Sequence, residues 1–158
     1  MSTTPIDRPA QSSAIVPRPQ LDRAGWAAIV LLVLLGLMAL AGGISLVSAP
    51  DGSVMNLPTS LLAGSPFQDF FVPGLILGGL FGVGSLLVAL MGLLRLRIAP
   101  FLAFAIGMGQ MIWIVVELIV IKEISFFHPL CFGIGFALAA SSVRWGWPTF
   151  RGWRAVRG

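Results

Sequence analysis

The hydrophobic residues of this chain are gathered into four long runs separated by short polar segments. The runs cover residues 24–47, 70–94, 98–121 and 125–143, and Glu117 is the only residue with a permanent charge inside them. Runs of 19 to 25 residues can cross a hydrocarbon layer of about 30 Å as helices that rise about 1.5 Å per residue. The pattern therefore predicts an all-α membrane protein, a bundle of four transmembrane helices.

The first run has a competing interpretation as a cleaved signal peptide, because Val47-Ser48-Ala49 resembles a small-residue cleavage site. A signal peptide, however, has an apolar region of about 7 to 15 residues, and this run is longer. Pro50 directly after the candidate site also disfavours cleavage. We therefore interpret the run as a permanent helix.

The segment between the first two runs is the only long polar connection. Residues 50–53 have turn composition, and residues 57–64 favour a short apolar helical turn that ends at Gly64. This turn is predicted to lie at the extracytoplasmic membrane surface or to cap the bundle. Ser65, Pro66 and Gln68 have capping-box spacing, which predicts that the second helix starts there. Pro73 then predicts a kink, or a short interfacial helix that joins the span.

The two ends of the chain differ in composition from the runs. Residues 1–20 are rich in Pro, Ser and Thr and predict a disordered cytoplasmic tail, whereas residues 21–147 form the membrane domain. Residues 148–158 are a basic tail. The tryptophans and arginines around it predict an interfacial anchor rather than a nucleic-acid site; they are Arg144, Trp145, Trp147, Arg151, Trp153, Arg154 and Arg157.

Basic residues lie almost entirely on one side of the predicted bundle. Of the ten Lys and Arg residues, nine precede the first run, follow the second or follow the fourth, and Lys122 alone falls on the other side. The positive-inside rule then predicts a multi-pass protein of the bacterial plasma membrane with both termini in the cytoplasm. The expected partners are the lipid bilayer and another membrane protein or a second copy, with no nucleic acid.

Small residues mark the surfaces where the helices are expected to touch. Gly74, Gly78 and Gly82 recur at four-residue spacing in the second run, while Gly107 and Gly133 lie in the third and fourth. Because lipid provides no hydrophobic drive between helices, close packing depends on such residues. A glycine-lined ligand cleft is the alternative interpretation of the same stripes.

The only candidate for chemistry is a polar group near the outer end of the bundle. Gln110 and Glu117 share one helical face with Ala103 and Gly107, and Asp69 and His128 belong to the same end. A carboxylate inside a membrane is costly, so Glu117 is a functional hypothesis, with a ligand-binding pocket as its role. The alternative is structural: Glu117 pairs with Lys122 or an amide, and His128 caps its own helix.

Motifs for cofactor or metal binding are lacking in the sequence. It contains no HExxH, no phosphate-binding glycine loop and no nucleophile elbow. The single cysteine, Cys131, excludes an intrachain disulfide and a CxxC pair and is interpreted as a small apolar filler. We therefore predict no catalytic residue, no metal and no cofactor.

A set of short motifs resembles a group of small bacterial membrane proteins with four spans and no assigned activity. The motifs are Leu57-Pro58, Leu61-Leu62, Ser65-Pro66-Phe67 with Asp69, Pro73-Gly74-Leu75, Trp113-Ile114 with Glu117, and Pro129. In size and number of spans the chain is also similar to DoxX-like four-helix membrane proteins. The resemblance implies the four-span plan and carries over no catalytic residue.

Three functions fit these observations. The first is a non-enzymatic accessory or small-ligand-binding bundle with a polar outer mouth. The second is a small transporter, with proton coupling as one option, and the third is a membrane enzyme acting on a lipid or quinone through Asp69, Glu117 and His128. The uncharged first span distinguishes this chain from small multidrug-resistance transporters, which carry their glutamate in that helix.

Overall fold

The computed structural model describes residues 20–121 and 126–155, which form helices and connecting loops with no strand. The long helices in these residues are α1 (Arg23–Ser48), α2 (Phe71–Leu93), α3 (Ala99–Ile121) and α4 (Phe127–Ala155). The predicted all-helical class is confirmed. The predicted disordered tail, apart from Gln20, and the short segment between the third and fourth runs lie in residues 1–19 and 122–125, outside the described part of the chain.

Three of these helices, α1, α2 and α3, are long and apolar enough to cross a membrane. Between 22% and 39% of the residues in the most apolar window of each are buried, so most of their apolar side chains face outward. Such a surface is incompatible with water and is typical of a protein surrounded by lipid. Three of the predicted runs thus form helices of the length and apolar composition that a membrane span requires.

The helices pack around a common interior. α1 packs between α2 and α4, while α3 packs along α4 and against the second half of α2, Gly84–Leu93. We call the end where α1 stops and α2 begins the loop end. The opposite end, where residues 94–98 join α2 to α3, is the hairpin end. A positive φ of 54° at Arg95 and a bond from its N–H to the Gly92 carbonyl close that tight turn.

α2 begins later than the sequence predicts. Ser65 does not cap a helix; its hydroxyl accepts the Phe67 N–H at 3.2 Å in a local turn. The helix starts at Phe71, whose N–H donates to Asp69 Oδ1 at 3.0 Å. Pro73 therefore lies in the first turn, where a missing N–H leaves no helical bond unmade, and it starts the helix rather than kinking it.

The middle of α2 has an unusual backbone. Residues Ile76–Val83 form a π-helical segment, in which the Gly84 N–H donates to the Gly79 carbonyl five residues earlier. Such segments are rare and are often found at functional sites. The sequence pattern has the same apolar character throughout this region, and it contains no feature that distinguishes this backbone from an α-helix.

The loop between α1 and α2 folds back onto the helices. It contains two short 3₁₀ turns, Ser53–Met55 and Thr59–Leu62, and Leu62 packs with Leu46 and Phe70. The predicted apolar turn ending at Gly64 is thus present, with a positive φ of 92° at that glycine. It covers the loop end and contacts α3.

A further turn in this loop is stabilised by an exposed carboxylate. Asp51 accepts hydrogen bonds from the Ser53 hydroxyl at 2.8 Å and from its backbone N–H at 3.1 Å. These bonds favour the charged form and lower the pKa of Asp51 below its ordinary value. The turn therefore keeps its carboxylate acceptor across the physiological pH range.

Glycines allow α1 and α2 to approach at backbone distance. A Cβ on Gly43 would collide with the backbone of Gly78, and one on Gly82 would lie 3.0 Å from Leu40 Cα. A Cβ added to Gly74 would likewise lie 2.8 Å from the Cβ of Leu46. The stripe in α2 therefore lies against α1 along most of its length.

The contact between α3 and α4 uses a different glycine from the predicted one. A Cβ on Gly107 would lie 2.7 Å from the Gly135 carbonyl oxygen and 2.8 Å from Ala139 N. Gly133, which the sequence analysis assigned to this contact, is exposed, and nothing lies within 4 Å of the position of its Cβ. Gly133 and Gly135 lie about 200° apart around the helix, so only one of them can face α3.

Trp145 corrects the prediction for the C-terminal end. The predicted span ends at residue 143, but α4 continues to Ala155, and Trp145 is only 2% exposed. Its indole fits against Gly25 and Gly92, whose added Cβ atoms would lie 2.9 Å from it. Trp145 is thus part of the hydrophobic core at the hairpin end rather than an interfacial anchor.

Candidate functional site

A half-open pocket, which we call the central cavity, lies in the loop half between all four helices. It has a volume of about 160 Å³. Its walls include side chains from α1, α2, α3 and α4, among them Leu35, Leu77, Gln110, Glu117, Cys131 and Ile134. A cavity of about 150 Å³ takes a benzene-sized molecule, so the space is sufficient for one ring or a short branched chain.

The cavity exists because α2 and α3 separate toward the loop end. α3 packs against the second half of α2, whereas the first half of α2 is held close to α1 by the glycine contacts. The gap is bridged by Phe81 and Trp113, whose ring centroids lie 6.0 Å apart. Phe81 belongs to the π-helical segment, so that segment provides one of the two aromatic rings that span the gap.

Gln110 is the most deeply buried polar side chain of the site. It is 2% exposed, it lines the cavity, and its Oε1 has no hydrogen-bond partner in the described residues. α4 lies close at this level because Gly135 has no side chain: its Cβ would be 3.3 Å from Gln110 Cβ. An unpaired buried amide costs about 1–3 kcal/mol, which a bound molecule with a donor group would recover.

Glu117 follows Gln110 on the same face of α3, two turns nearer the loop end. It is half-buried and lines both the central cavity and a second one of about 110 Å³. Trp113, one turn earlier, directs its indole N–H toward the carboxylate, at a geometry short of a full hydrogen bond. The site thus combines one unpaired amide oxygen, at Gln110, with a carboxylate that the Trp113 indole faces.

The second cavity connects this stripe to the loop. Its walls come from the loop and from the ends of α1, α2 and α3, and they include Leu57, Leu62, Phe67 and Phe70. Leu77, Trp113 and Glu117 line both cavities. Glu117 therefore lies at the boundary between the loop and the interior, where it lines both cavities.

The structure brings some of the predicted polar residues together and leaves one outside. Gln110 and Glu117 share a cavity wall, and His128 on α4 is close enough to Glu117 to interact with it electrostatically. Asp69 is exposed, holds the first turn of α2 and lines neither cavity. The predicted pocket therefore contains Gln110 and Glu117, with His128 beside it and without Asp69.

Cys131 is a wall residue that the sequence analysis did not include in the pocket. It is half-buried and lines the central cavity opposite α3. Helical spacing does relate it to Ile134, which lies on the same face of α4, but the direction of that face is set only by packing. Among the described residues, no three His, Cys, Asp or Glu side chains are placed to hold one metal ion.

Comparison of this chain with models of protein families, with curated proteins and with solved structures finds no match. The role of the cavity therefore has to be argued from its own residues.

Proposed function

We propose that this protein is a four-span helical bundle of the bacterial plasma membrane that binds a small ligand and is not an enzyme. Support for the fourth span comes from α4, which packs along α3 and α1. Residues 127–143 carry no permanent charge, and Leu130, Phe132 and Phe136 are exposed. An apolar helix that packs on spanning helices and exposes leucine and phenylalanine is suited to lipid.

The proposed orientation places both termini in the cytoplasm and the loop outside. Arg95 and Arg97 are exposed at the hairpin end, whereas Asp51 and Asp69 are exposed at the loop end. This distribution, together with the other basic residues of the sequence, agrees with the positive-inside rule. The bilayer is then the principal partner of the protein.

The single observation that carries the binding function is the unpaired Gln110 in an interior cavity. A purely structural interior would satisfy this amide or replace it with an apolar residue, because an unpaired buried amide lowers stability. Here the amide lies in a space of about 160 Å³ beside the carboxylate of Glu117. A bound polar molecule would satisfy both groups.

The transport alternative requires a route through the hairpin half, and that half is packed. Leu32, Ala103 and Leu138 are fully buried there, and Trp145 fills the end of the bundle. The two cavities extend only toward the loop. Binding from one side accounts for this asymmetry, whereas transport needs an opening of the hydrophobic core at the hairpin end.

The enzyme alternative needs three catalytic groups in one place, and one of the three lines neither cavity. It relied on Asp69 together with Glu117 and His128, but Asp69 points away from the cavities and bonds to Phe71 N. One carboxylate with an adjacent imidazole is a sufficient set for binding a polar group. We therefore assign no catalytic residue.

The test is to identify what copurifies with the protein in a mild detergent. Native mass spectrometry should detect a bound small molecule at near-equal stoichiometry. Ile134→Phe fills the central cavity and should remove this species. Leu130→Phe, one turn earlier on α4 at a position that is 39% exposed and lines neither cavity, should retain it. Identical spectra for wild type and Ile134→Phe would contradict the proposal, and uptake of that molecule by sealed vesicles would favour the transporter instead.

A further inference from the structure

We infer that the ligand is a small amphipath with an amine at one end, a hydroxyl or N–H donor at the other, and a single ring-sized apolar body between them. This inference rests on the proposed binding function and specifies the ligand class of the same cavity. It follows from the spacing of the two polar groups, from the volume between them and from the composition of the walls.

The two polar groups are too far apart to bind one atom. Gln110 and Glu117 are seven residues apart on α3, which corresponds to about 10 Å along the helix at about 1.5 Å per residue. Their side chains both lean toward the N-terminus of the helix, so the separation is kept. A ligand that satisfies both needs two polar groups separated by roughly the length of a substituted ring.

The space between the polar groups is apolar and ring-sized. Trp113 and Ile114 lie between them on α3, and Leu35 and Met38 of α1 line the same cavity. The volume of about 160 Å³ matches a benzene-sized group. Trp113, supported by Phe81, offers an aromatic surface at the end near Glu117.

The polarity of the walls favours a cation at the Glu117 end. Among the described residues, the walls of both cavities contain no Lys or Arg, and Glu117 is the only carboxylate in them. A carboxylate in a low-dielectric interior is stabilised by an opposite charge. His128 approaches it from α4, and an ammonium group entering from the loop side would add a charge-assisted hydrogen bond and an aromatic contact with Trp113.

The other end of the ligand is specified by Gln110. The unpaired atom is Oε1, which accepts hydrogen bonds and cannot donate them. A hydroxyl or N–H donor on the ligand would satisfy it, while a carboxylate would place two acceptors face to face. An anionic ligand would be repelled by Glu117 and would leave Gln110 Oε1 without a donor.

Tyramine and three analogues of the same size test this inference. Tyramine has both polar groups, 2-phenylethylamine lacks the hydroxyl, 4-ethylphenol lacks the amine, and ethylbenzene lacks both. Binding to the full-length protein in lipid nanodiscs should follow that order, with tyramine tightest. We expect loss of the amine to weaken binding about tenfold or more and loss of the hydroxyl about fivefold, as for charged and neutral hydrogen bonds.

Two substitutions test which residue binds the amine of the probe and which residue binds its hydroxyl. Glu117→Gln should make tyramine and 4-ethylphenol bind about equally, and Gln110→Leu should do the same for tyramine and 2-phenylethylamine. Ile134→Phe should abolish binding of all four probes, whereas Leu130→Phe should bind like wild type. Each comparison is a ratio of two probe affinities measured on the same variant. A general loss of stability lowers both affinities together and leaves their ratio unchanged, so it cannot produce the expected result.

The possible failures are distinguishable. Ethylbenzene binding as tightly as tyramine, with loss in Ile134→Phe, would overturn the ligand class and leave the binding function standing. A preference for 4-hydroxyphenylacetate over tyramine would overturn the class as well. If none of the probes binds wild type more tightly than Ile134→Phe, the ligand class is overturned, and the copurification experiment alone decides the binding function.

Discussion

At the residue scale, a few buried side chains lack hydrogen-bond partners. Ser85 Oγ, Gln110 Oε1, Trp113 Nε1 and Trp145 Nε1 have no partner in the described residues. Trp145 lies among close hydrophobic contacts, where shape rather than hydrogen bonding holds it. Gln110 and Trp113 line a cavity instead, which is why we interpret them as a binding site.

Trp145 gives a direct test of the core at the hairpin end. Trp145→Ala should lower the free energy of unfolding by about 3 kcal/mol or more, because it leaves a cavity against Gly25 and Gly92. Trp147→Ala, at a position that is 51% exposed, should change it much less. Thermal unfolding of both variants in the same detergent measures the difference. Similar losses for the two would mean that Trp145 is not a core residue.

At the element scale, helix contacts depend on which glycines face a neighbour. Gly43 and Gly78 meet at backbone distance between α1 and α2, while Gly79, adjacent in sequence, has open space around it. On α4, likewise, Gly135 lies against α3, whereas Gly133 has open space around it. Because lipid solvates apolar side chains as well as a protein interior does, this close approach is the main stabilising interaction between the helices.

The contact between α1 and α2 can be tested with single methyl groups. Gly43→Ala should destabilise the protein by about 1–3 kcal/mol, as overpacking of a fitted contact does, since its Cβ collides with the backbone of Gly78. Gly79→Ala adds the same methyl group where nothing lies within 4 Å and should have little effect. Yield and melting temperature in a mild detergent are the measurements. Equal tolerance of both changes would contradict the observed contact.

At the scale of the whole molecule, the two halves of the helical unit differ in how closely their side chains pack. The hairpin half holds the larger hydrophobic core, which is closed by Trp145. The loop half is held open by the separation of α2 and α3 and is covered by the turn Thr59–Leu62. A packed half and an open half on one scaffold is an arrangement suited to binding from the loop side.

The proposed orientation predicts which end reacts with an impermeant reagent. In a Cys131→Ser background, Ser53→Cys in the exposed loop should be labelled by a membrane-impermeant maleimide in intact cells. Ser12→Cys should be labelled only after the cells are opened, since positive-inside asymmetry places the N-terminus in the cytoplasm. The reverse pattern would show that the orientation is wrong.

The sequence by itself determined the helical class, the bounds of α1 and α3 to within one residue, and the common face of Gln110 and Glu117. These features depend on local hydrophobicity and on the period of the helix, which a linear pattern contains. Only the tertiary structure decided that Gln110 lacks a partner, that Asp69 lies outside the cavity, and that Trp145 is buried. These outcomes depend on the directions in which neighbouring helices lean. Those directions follow from contacts between residues far apart in the chain, such as Gly43 with Gly78 and Gly107 with Gly135.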